Sequence, residues 1–318
     1  MNASSAIKPE TFDCRVTFAE TLIAMAEADE RIVAVCNDSV GSSNLNAFRD
    51  RFPDRLINVG IAEQNMVGVA AGLANGGFIP FVCAAGPFLS GRATEQVKAD
   101  IAYSNYGVVL CAMSPGMAYG ELGPTHHSIE DLSWMRAIDN LDVLVPADPA
   151  QTRTAMQWAA ASGRPVYMRV GRFKVPSVTP ADSDAPFTFG KIDVHGQGTD
   201  VALVATGTLV SRALDAAALL KSEGISARVL NVSTIKPIDV ETIVKAASET
   251  RGLVVAEEGV LAGGLGAAVA TVLAEHHPAR AKLMGVTSFA PTGSNEFLLE
   301  HFGLTAKGIA DAARQLVG

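Results

Sequence analysis

Asn58-Val59-Gly60-Ile61-Ala62-Glu63-Gln64-Asn65-Met66-Val67-Gly68 ends a strand, passes a glycine that permits a tight approach, and opens a helix on a carboxylate. Glu63 at that position has two readings. It either complements the positive end of the helix dipole and orders the first turn, or it is a carboxylate delivered to a site. The helix that follows carries Gly68, Ala70, Ala71, Gly72 and Ala74. A face so slim lets another helix or a backbone approach closely, as a core or an interface requires.

On either side the same rhythm continues. Short β-branched runs at Arg31–Cys36, Leu56–Val59, Phe78–Val82, Val108–Met113, Asp142–Val145 and Val166–Val170 alternate with helical patterns at Phe18–Ala28, Glu63–Ala74, Gly91–Ser104, Ile129–Arg136 and Ala150–Ala161. Apolar runs buried on both faces and separated by helices specify an α/β fold with a parallel sheet between helical layers. From Val175 to Gly198 the rhythm breaks into VPSVTPADSDAPFTFGKIDVHGQG, with three prolines and one short strand-like piece. This is a boundary or crossover segment. A second α/β pattern follows, with strands at Asp200–Ala205, Ala227–Asn231, Gly252–Ala256 and Lys282–Val286. Its helices are expected at Val210–Glu223, Asp239–Ala247, Leu265–Glu275 and Thr305–Leu316. The division is two domains, residues 1–178 and 199–318, joined by a linker at 179–198.

The 318 residues, 48% of them apolar, suffice to bury large cores. A formal net charge of -8 without a Lys/Arg cluster excludes a nucleic-acid backbone as partner. The opening MNASSAIKPETFDCR has no apolar leader, and no apolar run reaches membrane-spanning length. Cys14, Cys36, Cys83 and Cys111 have neither metal-motif nor disulfide-framework spacing, so the expectation is a cytoplasmic protein with reduced, buried thiols.

A second informative stretch, Gly116 to Asp131, is a glycine-containing loop after a buried strand, with His126 and His127 adjacent. The carboxyl end of a parallel strand is where open α/β sheets bind ligands. Imidazoles there suit proton transfer or a polar site, while Ser128-x-x-Asp131 reads as a helix cap. Arg169 and Arg172 at a strand end suit phosphate or sulfonate recognition, or carboxylate pairing at a domain contact. The Glu257–Gly266 stretch lacks the full G-x-G-x-x-G spacing and reads as a tight turn with helix–sheet packing rather than a nucleotide loop.

Four ordered segments, VGIAEQNMVGVAAGLA (59–74), FLSGRATEQVKADIAY (88–103), GPTHHSIEDLSWMRAIDNLDVLVPAD (123–148) and PTGSNEFLLEHFGLTAKGI (291–309), together resemble the transketolase family. The resemblance covers the whole chain and implies a pyrimidine-binding domain followed by the family's C-terminal domain. It implies thiamine diphosphate as cofactor, with Glu63 bonding the aminopyrimidine, Phe88 stacking on it and Asp38 near the subunit interface. A carboxylate beside the ring nitrogen favours protonation there and an imino tautomer outside the ring, and the cofactor then serves as electron sink. His126 matches the histidine expected at the donor's oxygens, and Arg15, Ser43 and Arg169 match groups that grip a sugar phosphate.

The G-D-G segment with which the family holds the diphosphate and its Mg²⁺ (or Ca²⁺) is missing from this sequence. The resemblance therefore implies a natural subunit, opening with its own Met, of a split transketolase. Its partner would carry that segment, in an α2β2 assembly. Three positions depart from the family pattern: Ala85 replaces a ring-pocket phenylalanine, Leu122 an aspartate that reads donor hydroxyls, and Ser114 a histidine near the sugar phosphate. Ser114 and Leu122 thus line an altered donor channel, which argues against assigning xylulose 5-phosphate as donor; a branched, deoxy or sulfonated sugar phosphate analogue fits at least as well. A 2-oxoacid dehydrogenase β-type subunit and a non-catalytic scaffold are the alternative readings.

Overall fold

A computed structural model describes residues 10–318; the stretch 1–9, which contributes to the leader-free reading and to the first domain's start, lies outside them. In chain order the first half comprises β1 (Thr11–Asp13), α1 (Cys14–Ala28), β2 (Ile32–Cys36), α2 (Asn46–Arg51), β3 (Leu56–Asn58), α3 (Glu63–Asn75), β4 (Ile79–Ala85) and α4 (Gly86–Arg92). It continues through α5 (Thr94–Gln96), β5 (Val109–Met113), α6 (Asp131–Ala137), β6 (Asp142–Leu144), α7 (Pro149–Ser162), β7 (Val166–Val170) and β8 (Lys174–Pro176). The second half holds β9 (Asp193–His195), β10 (Val201–Ala205), α8 (Leu209–Ser222), β11 (Ala227–Asn231), β12 (Thr234–Lys236) and α9 (Val240–Glu249). It closes with β13 (Leu253–Val260), α10 (Leu265–His276), β14 (Ala281–Val286), α11 (Asn295–His301) and α12 (Ala306–Val317).

Two sheets result. The larger has the order β12-β6-β7-β5-β4-β2-β3 and the smaller β14-β13-β10-β11-β9. Pairing within each is parallel except at one edge, where β12 runs against β6 and β9 against β11. The alternation of strand side chains divides the burial. Ala34, Cys36, Phe81, Cys83 and Cys111 pack beneath Phe18 and Leu22 of α1, while Val35, Val82 and Leu110 face Met66 and Val67 of α3 on the other side. Cys36, Cys83 and Cys111 stand opposite one another on adjacent strands, free and buried, as small apolar fillers. No helix among the described residues is long and apolar enough to cross a membrane.

Three differences from the sequence reading have physical causes. The single helix expected over Gly91–Ser104 breaks at Ala93, where φ is -108°, and resumes as α5, which runs into a π-helical stretch at Val97–Tyr103. Apolar spacing alone does not distinguish that winding from an α-helix. Helix α11, capped by the Ser294 hydroxyl on the Phe297 amide, has too few residues to show a period. Strand β12 belongs in sequence to the second half but forms the edge of the first half's sheet. Three residues carry no signal of which sheet they will join.

Asp148 ties the crossover segment to the first sheet. One carboxylate oxygen caps α7 at the Gln151 amide, and the other accepts the amides of Val178 and Thr179 at 2.9 and 2.7 Å. Gln151 in turn donates to Asp193 on β9 at 2.7 Å. Burial, and then the charge of Asp148, push the Asp193 carboxyl up to about 6 from an ordinary 3.8. A folded-state value above the unfolded one means the native chain binds the extra proton between those two pH values. Stability contributed by that proton falls as pH rises through them and stays lost above. Asp193→Asn keeps an acceptor for Gln151 and removes the buried charge. Its thermal midpoint should exceed the parent's at neutral pH and match it at about pH 3.5, below both values; a pH series of melting curves checks this.

Candidate active site

The carboxyl ends of β2, β4, β5 and β7, with the β3–α3 connection, gather the chemistry on one edge of the larger sheet. Such an edge is open because each strand there hands over to a loop or a helix start, leaving side chains to project beyond the sheet.

Glu63 occupies the first turn of α3 and is 3% exposed. Asn37, just past β2, donates to its Oε1 at 2.7 Å, and Arg92 at the end of α4 donates to the same oxygen at 2.9 Å. Burial acts to raise this carboxyl, but the bonds from Asn37, the helix-start amide and Arg92 outweigh it and hold Glu63 below the usual carboxylate range. Both side-chain bonds fall on Oε1, and neither uses Oε2. The Asn37 carbonyl oxygen beside it is buried without a partner among the described residues. Glu63 thus stands at the helix start, and the same position leaves Oε2 outside both side-chain bonds.

Arg92 lies with its guanidinium carbon 4.1 Å from the centre of the Phe88 ring, one helical turn back on α4. His126 meets Phe88 edge-on at 5.2 Å, and Tyr119 stands 6.1 Å from His126. Arg172 covers Tyr119 at 5.0 Å. Glu63, Arg92, Phe88, His126, Tyr119 and Arg172 thus form one continuous line, ending at a cleft of about 420 Å³ that Leu122 and Arg172 help to line. The His126 Nδ1 pairs with the Thr125 hydroxyl at 3.0 Å.

The remaining sequence candidates fall around this line. Asp38 is exposed at φ 66°, bonded through its backbone and side chain to Asn58. Ser43 is fully buried 3.1 Å from the Ser39 hydroxyl. Arg15 forks onto Asp13 and the Ser42 carbonyl. Ser114 is fully buried with φ 56° and a hydroxyl lacking a partner among the described residues, whereas Leu122 is 55% exposed. Ala85 ends β4 with 9% exposure.

Arg169 is placed at the domain contact. Its guanidinium is 4% exposed and grips Asp131 through Nε and Nη2, while Nη1 and Nη2 reach the carbonyls of Glu258 and Ser128, each at 3.1 Å. Burial opposes its charge, yet Asp131 raises its pKa above the ordinary arginine value. All three nitrogens of the fork that resembles a sugar-phosphate grip are therefore engaged inside the protein, and carboxylate pairing is its role here. For the same reason the Ser128-x-x-Asp131 capping pattern is not realised. Asp131 binds Arg169 and Tyr167, the helix cap position is Glu130, and the Ser128 hydroxyl is unpaired among the described residues. Glu257 accepts the Leu265 and Gly266 amides at 2.8 and 2.7 Å, so the glycine-rich turn before α10 is closed from within by a carboxylate. Among the described residues no group of three or more His, Cys, Asp or Glu converges as a metal site.

Sequence reasoning does not find Arg92 or Asn37. The i, i+4 spacing of Phe88 and Arg92 is the available signal for one; nothing local marks Asn37.

The transketolase pyrimidine-binding domain matches residues 10–177 and the transketolase C-terminal domain residues 190–309. The chain belongs to the transketolase family. It is 41% identical to an apulose-4-phosphate transketolase subunit of Phocaeicola vulgatus over 96% of this chain and 97% of that protein. It is 40% identical to the 6-deoxy-6-sulfo-D-fructose transketolase subunit SqwH of a Clostridium species, over 99% and 98% of the two chains. Among solved structures, a split-gene transketolase described as an inactive β4 tetramer superposes with a TM-score of 0.87 at 39% identity, covering 96% of this chain and 97% of that one. End to end, the chain is thus similar to subunits of split transketolases. Transketolase from Leishmania mexicana, at 22% identity and TM-score 0.81, shares the fold over 46% of its own length.

Arg92→Leu removes one of the two side-chain donors on Glu63 while leaving the apolar cover on Phe88. The Glu63 carboxyl should then titrate at higher pH than in the parent chain, measured by carbon-detected NMR of labelled glutamate; an unmoved titration would mean that Asn37 and the helix start suffice.

Proposed function

We propose that this chain is one subunit of a thiamine-diphosphate-dependent transketolase that moves a two-carbon ketol unit from a ketose to an aldose acceptor. The observation that carries the reading is Glu63. It is a buried carboxylate kept ionised by Asn37 and Arg92, with Oε2 uncommitted to either and the Phe88 ring and His126 beside it. These residues suit an aminopyrimidine: Oε2 would accept from a protonated ring nitrogen, the orphaned Asn37 side-chain oxygen would offer a second acceptor, and Phe88 would present an aromatic surface. Bound there, thiamine diphosphate supplies the electron sink for carbon–carbon cleavage. His126, edge-to-face with Phe88 and paired with Thr125, is the group that would exchange a proton with a donor hydroxyl or carbonyl oxygen.

The diphosphate and its divalent ion, Mg²⁺ or Ca²⁺, fall to a partner. The sequence has no G-D-G segment, and the relatives matched end to end are named subunits. The exposed edge around Asp38 and Ile61, which is 77% exposed, is the face for that partner, in an α2β2 cytoplasmic enzyme.

The donor is a ketose with a terminal phosphate or sulfonate. Arg172, with no carboxylate partner among the described residues, takes the role that the family resemblance implies for Arg169, and the cleft beyond Tyr119 receives the anion. Leu122 puts an apolar side chain on that cleft, which fits a donor such as the phosphorylated or sulfonated sugars named in the relatives, whereas the buried Ser114 does not reach it. Arg15 and Ser43 are already engaged with Asp13 and Ser39, away from that cleft.

Mixing this chain with a G-D-G-bearing partner, thiamine diphosphate and Mg²⁺ should yield ketol transfer that neither chain shows alone. Glu63→Gln should abolish it by about a hundredfold or more with assembly intact, on sizing columns; full activity in Glu63→Gln would refute the reading. The two arginines should separate cleanly. Arg172→Ala should raise the donor KM with little change in urea stability. Arg169→Ala should lower stability by about 3–5 kcal/mol, the cost of stranding a buried carboxylate.

A further inference from the structure

The loop that carries His126 is closed at its neck, where Gly116 and Ser128 exchange backbone bonds of 2.9 and 2.7 Å. Just inside the neck, Glu258 near the end of β13 reaches across from the second sheet. Its Oε1 accepts the Met117 amide at 2.7 Å and lies 3.4 Å from the Asn295 side-chain nitrogen, while Oε2 accepts the Thr208 hydroxyl at 2.8 Å. The approach is close enough that Gly116, at φ 65°, has no room for a side chain: a Cβ there would fall 2.5 Å from the Glu258 carboxyl carbon. A second hold lies nearer the tip, where the Gly293 amide donates to the Gly120 carbonyl at 3.1 Å. From the first domain's side the hydroxyls of Ser114 and Ser128 contribute none of this, being unpartnered among the described residues.

We infer that Glu258 is a positioning residue for donor binding. From the C-terminal domain it holds the 116–128 loop so that His126 stands edge-on to Phe88, and it acts through the Met117 amide rather than by touching the donor. The inference rests on the proposed transfer for its effect on catalysis, but the hold itself belongs to the chain alone. It gives the C-terminal domain a part in the site: two buried carboxylates lie near the end of β13, Glu257 closing its own domain's helix and Glu258 reaching into the other domain's loop. A carboxamide at 258 still accepts from Met117 and still finds an acceptor in the Thr208 oxygen; a methyl does neither.

The test compares Glu258→Gln with Glu258→Ala in the full chain. In Ala, amide exchange across 116–128 should accelerate roughly ten- to a hundredfold while β5 stays protected, and the His126 ring protons should lose the ring-current shift that Phe88 imposes. Gln should preserve both. In the assembled enzyme, Ala should raise the donor KM about tenfold with thiamine diphosphate affinity and assembly unchanged. Should Ala not fold, Thr208→Val, which frees only Oε2, should move the same readouts in the same direction by less. Unchanged loop exchange in Ala (or in Thr208→Val where Ala does not fold) overturns the inference, as does a loosened loop with an unmoved donor KM. If the unmutated complex transfers nothing from any sugar phosphate or sulfonate, the proposed function fails, and exchange and ring shift alone decide the hold.

Discussion

The two halves are locked together around the buried pair Arg169–Asp131. Arg169 stands near the end of a central strand and Asp131 opens the helix after the histidine loop. The same guanidinium also takes the Ser128 and Glu258 carbonyls. One cation thereby fixes a strand, a helix, the loop's neck and a strand of the other domain. Burial of such a charge is unfavourable unless it is paired and its polar neighbours are satisfied. Here four bonds to three residues hold it, and the Tyr167 hydroxyl completes Asp131. The geometry permits little variation, because the partners come from segments far apart in sequence.

Around that pair, the site and the fold are one construction. The parallel sheet delivers Asn37, Glu63, Phe88 and His126 to a common edge because every strand contributing there points the same way. Helix starts then aim the side chains. The buried cations and carboxylates set the loop that the sheet alone would leave loose.

What can be read beforehand follows from range. Glu63 at a strand–helix junction and the His126 loop after a buried strand are local patterns, and the structure has each where the pattern puts it; the helix that carries Phe88 begins at Gly86, five residues before the expected start at Gly91. The regular strands and long helices are equally legible, since period and length are local quantities. Arg169 is legible as one of two alternatives but not as a choice between them: a guanidinium reads the same whether its partner is a phosphate or Asp131, 38 residues away. The Asn37–Glu63 bond spans 26 residues and the Glu258–Met117 bond 141, and no spacing announces either. The edge strand β12 fails to show for the same reason. Resemblance to a family locates the site better than it locates the partners of individual charges, because a motif preserves residue types more visibly than contacts.

Arg92 has a further thermodynamic consequence. In the free chain its half-exposed side chain already rests on both the Glu63 carboxylate and the Phe88 ring. A newcomer needing the ring face that Arg92 covers must first dislodge an existing tenant, so its measured affinity is a difference between two occupancies and understates the contact it makes. The same tenancy keeps an ionised, nearly buried carboxylate from standing without a counter-charge.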